Sequence, residues 1–192
     1  MPRHLKACER PLSEVLDSRR RFVIPPFQRP FAWTEAEART LLTDILAAID
    51  RAAAARDDDA PYFMGSIVLV KSAGEAAEQV VDGHQRLTTL TILLALLRDL
   101  DPETAAALDH HIRAPSRFNK AQAERLLTVR PLDTEFFQSA IQQPGGPLAL
   151  TPDTPVDNDA QAKMLSVALA FREILEEAPV GSRRWLVEFL LR

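Results

Sequence analysis

The chain has 192 residues, of which 46% are apolar, and a formal net charge of −4. Its single cysteine, Cys8, excludes an internal disulfide and fits a reducing compartment. The longest apolar stretch, 90–97, is far shorter than the roughly 20 residues that span a bilayer. The net charge excludes a strong overall attraction to nucleic acid. We therefore expect a soluble, cytoplasmic protein with no membrane partner.

The N-terminal part of the sequence predicts a helix, a strand and a longer helix. "PLSEVLDSRRRFVIP" indicates a short helix followed by a strand over Phe22–Ile24, which the next two prolines end. Thr34 stands three residues before Glu37, the spacing of a capping box, so the long helix is predicted to begin there. The acidic cluster Asp57–Asp59 is predicted to end it.

A hairpin and an apolar helix are predicted next. "YFMGSIVLV" is rich in β-branched and aromatic residues and is the clearest strand in the sequence. "QVVD" predicts a second strand, with "KSAGEAAE" as the turn between the two. A helix is predicted over 86–100, with another after Pro102.

Helices dominate the remainder of the chain. "RAPSRFNKAQ" predicts a polar link, "RLLTV" a short strand, and "DTEFFQSAIQQ" a helix capped by Asp133 or Thr134. "PGGPLALTPDTP" is typical of a boundary between sub-regions, and two helices are predicted at 159–177 and 182–192. This order predicts an α+β fold. The last ten residues form an amphipathic helix pattern without a stop signal, so we expect a piece of a larger protein.

The turn "DGHQRLTT", 82–89, has two interpretations. Asp82 and Gln85 have the spacing of an N-cap and its N3 partner, and Gly83 suits a tight turn, so a capped helix explains these three residues. It does not explain Arg86, because a cation in the first helical turn opposes the helix dipole. Arg86 therefore requires a nearby carboxylate or an anionic ligand.

A bound phosphate is the alternative interpretation of this turn. Helix N-terminal amides form an anion site, and Arg86 can donate a bidentate pair of hydrogen bonds to phosphate oxygens. The hydroxyls of Thr88 and Thr89 are further donors, and Asp82 can hold Mg²⁺ directly or through water.

A second polar group lies within "IPPFQRPFAW", 24–33. The prolines favour an extended backbone, and the aromatic residues Phe27, Phe31 and Trp33 are expected to pack on the core. Gln28 and Arg29 between them suit contact with a base edge or a phosphate.

Basic residues are concentrated in two segments. Residues 1–29 hold seven basic and three acidic residues, including the run Arg19, Arg20 and Arg21, and 113–130 hold five basic and one acidic. If the two segments meet in the fold, they form an anion-binding face; otherwise they are solvated surface charges. Arg117 and Lys120 belong to the second segment.

The sequence resembles the N-terminal domain of GmrSD-type, modification-dependent restriction enzymes. The resemblance lies in three stretches, "IPPFQRPFAW", "YFMGSIVLV" and "VVDGHQRLTTLTILLALL". The same domain occurs in phage-defence proteins such as BrxU and SspE. The family pattern, Ile-Pro-x-(Tyr/Phe)-Gln-Arg-x-(Tyr/Phe)-x-Trp followed by Asp-Gly-Gln-Gln-Arg-Leu-Thr-Thr, is met at every position except one. His84 stands where the family has glutamine, which changes the hydrogen-bonding groups and introduces a side chain that titrates near neutrality.

The resemblance implies a ParB/sulfiredoxin-like, nucleotide-binding core at 1–114, followed by a helical extension at 115–192. It implies a nucleoside triphosphate, GTP or another, bound with Mg²⁺ at Gly83, His84, Arg86, Thr88 and Thr89, with Gln28 and Arg29 nearby. By analogy, Asp82 positions Mg²⁺ or water, Gln85 orients the water, and Arg86 stabilises phosphoryl charge, so these three are the candidate catalytic residues.

The expected partner is foreign, modified DNA, which is cut by a separate nuclease domain of the His-Asn-His type. No such motif occurs in this sequence, and the pair His110-His111 is predicted to lie at a helix end.

Two other functions are open. One is a non-catalytic reader of modified DNA, and the other is a regulatory domain that binds only a protein partner. The expected DNA contacts are Arg19, Arg20, Arg21, Arg29, Arg117 and Lys120.

Overall fold

The computed structural model describes residues 6–56, 62–72, 74–115 and 123–192. Its helices are α1 (Leu12–Val15), α2 (Glu35–Ala55), α3 (His84–Leu100), α4 (Ala105–Asp109), α5 (Pro131–Phe136), α6 (Gly146–Ala149), α7 (Asp159–Glu177) and α8 (Val180–Leu191), with a π-helical segment at Phe137–Gln142. The strands are β1 (Phe22–Val23), β2 (Val68–Val70), β3 (Glu78–Asp82), β4 (Arg113–Pro115), β5 (Ala123–Arg125) and β6 (Leu127–Thr128). The predicted α+β class, with a mostly helical C-terminal part, is confirmed.

The main sheet has four strands in the order β2-β3-β1-β6. β1 lies at its centre and is parallel to both β3 and β6, with Phe22 opposite Glu78 on one side and Leu127 on the other. β2 is antiparallel to β3, so the predicted hairpin is confirmed. β4 and β5 form a separate antiparallel pair.

α3 is the central helix of the core. Its apolar residues from Leu87 to Leu97 are buried on all sides, because α4, the π-helical segment, α6, α7 and α8 surround it. Burying an aliphatic side chain stabilises a fold by about 1.5–3 kcal/mol, so this helix contributes much of the stability of the fold. The core also includes Phe137 and Phe171, which come from the C-terminal part of the chain. The division at residue 114 stays a prediction.

Several helix ends match the sequence pattern. α2 begins after Thr34, whose backbone N–H donates to the Glu37 carboxylate at 2.7 Å, as a capping box requires. His110 and His111 follow α4, so the prediction of a helix end is confirmed. The segments 57–59 and 116–120, including Arg117 and Lys120, lie outside the described residues.

Two local predictions were wrong. The strand predicted over "YFMGSIVLV" is confined to Val68–Val70, because the residues before it run along α2 instead of pairing in the sheet. The helix predicted to be capped by Asp133 or Thr134 begins earlier, at Pro131, which suits a first helical turn. Asp133 is buried instead and accepts a hydrogen bond from Asn158 at 3.0 Å.

The parallel strands place their carboxyl ends at one edge of the sheet. β1 leads there into the proline segment, which we define as Ile24–Trp33, β3 leads into α3, and β6 leads into α5. Ligands of parallel sheets bind at such an edge. The motifs that the sequence analysis singled out are therefore brought together at the carboxyl edge.

Candidate functional site

The start of α3 carries no side-chain cap. Gly83 precedes the helix in the left-handed conformation with φ of 84°, and a Cβ there would lie 2.8 Å from the carbonyl oxygen of Ser66. The predicted capping by Asp82 and Gln85 is therefore wrong: Asp82 is the last residue of β3, exposed and paired with Val68 in the sheet. The first amides of a buried helix are left without side-chain partners, which makes this end receptive to an anion.

Gln85 binds the proline segment to α3. Its Oε1 accepts hydrogen bonds from the backbone N–H groups of Ala32 at 2.7 Å and Trp33 at 3.2 Å. Its Nε2 donates to the carbonyl of Pro30 at 2.9 Å and contacts Nε2 of His84 at 2.8 Å. An amide side chain offers two donor hydrogens and two acceptor lone pairs, so all four positions of Gln85 are occupied.

His84 is buried against the same segment. Because Gln85 donates to its Nε2, the ring carries its proton on Nδ1 and is neutral. Burial lowers the pKa of His84 below its usual range; a hydrogen bond from the ring to the Arg29 backbone opposes this shift, and the guanidinium groups of Arg29 and Arg130 lower the pKa further. Protonation would remove the acceptor that Gln85 uses.

A small cavity, which we call the closed cavity, lies beside His84 and has a volume of about 10 Å³. Its polar lining comes from Arg29, His84, Thr88, Arg130 and Asp133. Thr88 is 1% exposed, and its hydroxyl makes no hydrogen bond with any described residue. The space suits a single water, which would satisfy this hydroxyl.

Arg86 lies on the other side of the helix start. Its guanidinium carbon stands 6.0 Å from the ring centre of Trp33, within the range of a cation–π contact. The guanidinium also lies against Gly65, where a Cβ would overlap it. Within the described ranges, no carboxylate forms an ion pair with Arg86. For the part of the chain that the structure describes, an anionic ligand of Arg86 therefore stays a prediction.

An open groove runs from Arg86 along α2, with a volume of about 620 Å³. We call it the aromatic groove; its walls include Trp33, Glu37, Asp44, Tyr62, Phe63 and Arg86. Phe63 is 77% exposed at its rim, which is a large exposure for a phenylalanine. Ligand pockets commonly have 300–1,000 Å³, so the groove has the volume of one.

The remaining predicted nucleotide-binding residues are separated by α3. Thr88 and Thr89 are buried on the helix, and the Thr89 hydroxyl donates to the Gln85 carbonyl at 3.0 Å. Gln28 donates through Nε2 to the Val81 carbonyl at 2.7 Å, which fixes the proline segment to β3. Arg29 has an exposed side chain on the His84 side. Of the predicted set, Arg29, His84 and Thr88 line the closed cavity, Arg86 lines the aromatic groove, and the others line neither.

The aromatic residues of the proline segment have different environments. Phe31 is 4% exposed and belongs to the core, so its predicted packing is confirmed. Trp33 packs against the core from the groove wall. For Phe27 the prediction of packing was wrong, because its side chain is 74% exposed at the tip of the segment.

The arginine run of the N-terminal segment is largely paired. Arg19 binds Asp17, and its hydrogen bonds lower the pKa of that carboxyl to about 2. Arg20 pairs with Glu78 at 2.7 Å and Arg21 with Glu124 at 2.9 Å. These pairs join the segment to β3 and β5, so the guanidinium groups have structural contacts besides any role in DNA binding.

Arg130 and Asp44 line the site and were missed as site residues. Arg130 was counted only in the charge of 113–130, although it directly precedes Pro131 at the start of α5. Asp44 follows Thr34 by ten positions, which places both on one face of α2. That helical spacing was the available signal, but nothing local showed that this face borders Arg86.

Comparison with known families agrees with this arrangement. The sequence model described as "GmrSD restriction endonuclease, N-terminal domain" matches residues 12–184. The chain belongs to this family. A search of curated proteins found no match.

Membership in the GmrSD N-terminal domain family has two consequences for the site. The matched range includes the proline segment, the turn at 82–89, α7 and the first turn of α8, so the family extends over the helical part as well as the sheet. The family is also part of a restriction enzyme, which gives the chain a place in DNA restriction and defence. No helix in the described part of this GmrSD N-terminal domain has the length and apolar character needed to cross a membrane.

Proposed function

We propose that this GmrSD N-terminal domain binds and hydrolyses a nucleoside triphosphate and thereby regulates a modification-dependent DNA restriction system. The observation that carries the proposal is Arg86. It is a guanidinium without an acidic partner among the described residues, at the uncapped start of a buried helix, at the edge of an open groove. The phosphates of a nucleotide are anions that suit this arrangement.

The phosphate end of the ligand lies at the start of α3. The amides of the first helical turn and the positive end of the helix dipole favour negative charge. Arg86 adds a planar pair of donors that matches phosphate oxygens. Its contacts with Trp33 and Gly65 hold the guanidinium before the ligand arrives, so less conformational entropy is lost on binding.

The nucleoside end lies in the aromatic groove. Trp33, Tyr62 and Phe63 provide aromatic surface, and bases stack on such side chains irrespective of sequence. The exposure of Phe63 leaves one ring face available to a ligand.

Mg²⁺ fits the chemistry of the strand end beside this turn. Magnesium in phosphoryl-transfer sites is held by one or two carboxylates together with substrate phosphates and waters, and Asp82 supplies one exposed carboxylate there. The ion, when bound, neutralises charge on the phosphates. Arg86 stabilises phosphoryl charge from the protein side.

Gln85 acts as a positioning residue in this proposal. All four of its hydrogen-bonding positions are used by the proline segment and His84, so orienting a water would require one of these bonds to break. Its effect on catalysis is to fix Trp33 and His84 on either side of the helix start.

Phosphate release by the purified protein with Mg²⁺ and each of the four ribonucleoside triphosphates tests the proposal. We expect turnover by the wild type and loss of turnover in Arg86→Ala. Arg10→Ala is the matched control, since Arg10 is exposed and its side-chain contacts, with Glu14 and Cys8, lie outside the site. Turnover that survives in Arg86→Ala, or absence of both turnover and nucleotide binding in the wild type, contradicts it.

Contact with DNA on the His84 side of the α3 start, away from the aromatic groove, is a second candidate function. The exposure of Phe27 supports it. Arg29, two residues after Phe27, is also exposed, and Arg29 and Arg130 both line the closed cavity. Foreign, modified DNA is the partner, and a separate nuclease domain cuts it. We expect binding to weaken steeply with salt and Arg29→Ala to reduce the salt slope, measured by fluorescence anisotropy. Equal salt slopes for the two proteins would argue against this contact.

A further inference from the structure

The aromatic groove carries opposite charges at its two ends. Arg86 lies at the end near Trp33, and Asp44 lies further along α2. Thr34, Leu41 and Asp44 face the groove at helical spacing, and with a rise of about 1.5 Å per residue Asp44 stands about 15 Å beyond Thr34 along the helix axis. A ligand that fills the groove therefore meets a cation at one end and a carboxylate at the other.

The polar groups between these ends are already engaged. Glu37 accepts the backbone N–H of Thr34, and the Thr40 hydroxyl donates to the Ala36 carbonyl at 2.9 Å. Asp44, by contrast, forms no ion pair or hydrogen bond with any residue in the described ranges.

Tyr62 connects the two ends. Burial is the main cause that raises the pKa of the Tyr62 hydroxyl, the nearby Asp44 charge raises it further, and the Arg51 and Arg86 charges oppose the shift. Tyr62 lines the groove together with Asp44 and Arg86, and both of these charges act on its hydroxyl. Tyr62 is held in place by its ring contact with Phe189 at 6.4 Å.

The two ends select for different parts of a ligand. The guanidinium binds phosphate oxygens, whereas an ionised carboxylate only accepts hydrogen bonds and repels phosphate. Asp44, whose side chain is exposed, thus favours N–H donors over acceptors at the base end. Guanine presents an imino N–H beside an amino group, two donors that match the two oxygens of one carboxylate. Adenine places an acceptor nitrogen beside its amino group, and inosine lacks the amino group.

We propose that Asp44 selects the base of the bound nucleotide and that this base is guanine. The inference rests on the proposed nucleotide-binding function and adds to it the identity of the base and the residue that recognises it. Phe63 and Tyr62 provide the aromatic surface on which the base stacks.

Equilibrium binding of β,γ-imido analogues of guanosine, inosine and adenosine triphosphates tests this inference, because these analogues are not hydrolysed at the γ-phosphate. In the wild type we expect guanosine to bind more tightly than adenosine by at least about tenfold, with inosine between them. Asp44→Asn should bring the three affinities together, mainly by weakening guanosine. Asp50→Asn, an exposed change on α2 outside the groove, is the control and should keep the preference.

The outcomes separate this inference from the proposed function. If the wild type binds all three analogues equally, base selection by Asp44 is overturned while nucleotide binding stands. If Asp44→Asn weakens the three equally, the carboxylate contacts a part that they share, which also overturns the assignment to the base. If the wild type binds none of them, both proposals fail.

Discussion

The two sides of the α3 start differ in how completely their polar groups are used. On the side of the closed cavity, His84 and Gln85 are buried and hydrogen-bonded to the proline segment. On the side of the aromatic groove, Arg86 and Asp44 have no ion-pair partners within the described part of the chain. The adjacent residues Gln85 and Arg86 of one motif therefore differ: Gln85 holds the structure together, and Arg86 is the residue that we propose for ligand binding.

The largest effect on stability is expected from Gln85→Ala. The change removes four hydrogen bonds and leaves the N–H groups of Ala32 and Trp33 without their acceptor. Since each buried group that loses its partner costs about 1–3 kcal/mol, the free energy of unfolding should fall by roughly 2–4 kcal/mol in urea titrations. Gln143→Ala, at an exposed glutamine, is the control. A loss no greater than that of the control would show that Gln85 is not the structural member of the pair.

A smaller effect, a difference in ligand affinity between two glycine variants, distinguishes the groove side. Gly65 and Gly74 both have positive φ, of 100° and 87°, so alanine at either position should cost about 1–2 kcal/mol of stability. Only at Gly65 does the added Cβ overlap Arg86; at Gly74 it meets nothing within 4 Å. Gly65→Ala should therefore weaken nucleotide binding by about tenfold, and Gly74→Ala should not, as measured by calorimetry. Equal affinities in the two variants would contradict the placement of Arg86 in the site.

The smallest effect concerns pH on the closed side. The folded-state pKa of His84 is lowered from its usual value near 6.5, so its contribution to stability is present above that pH and is lost as the pH falls through the folded-state value. Urea titrations at about pH 7.5 and about pH 5.5 should show lower stability at the acidic pH. His84→Gln, which restores the family residue, should reduce this difference. An unchanged difference in the variant would assign the pH dependence to other groups.

The sequence predicted the helices and strands that meet at the carboxyl edge better than it predicted the side-chain contacts between them. The apolar spacing of α3 placed its start within two residues of the observed one, and the spacing of Thr34 and Glu37 predicted the start of α2. Such patterns are local, so the sequence contains them. The strand predicted over 62–70 was wrong in its first six residues, where aromatic side chains line a groove on α2 and the backbone does not pair in the sheet.

The candidate site depended on contacts that local spacing does not encode. The spacing of Asp82 and Gln85 fits a capping box, yet Gln85 binds residues more than fifty positions earlier in the chain. The sequence singled out Arg86 from the helix dipole alone. Its lack of an ion-pair partner among the described residues agrees with that reasoning. Asp44 and Arg130 reach the site only through the packing of α2 and α5, so the sequence named neither.

Calorimetric titration of the protein with a β,γ-imido nucleoside triphosphate and Mg²⁺ tests the central claim most directly, because it measures binding at the α3 start without turnover. Wild type and Arg10→Ala should bind with the same affinity, and Arg86→Ala, with an unfolding midpoint close to that of the wild type, should bind at least about tenfold more weakly. Equal binding by Arg86→Ala and the wild type would contradict the assignment of the phosphates to the Arg86 side.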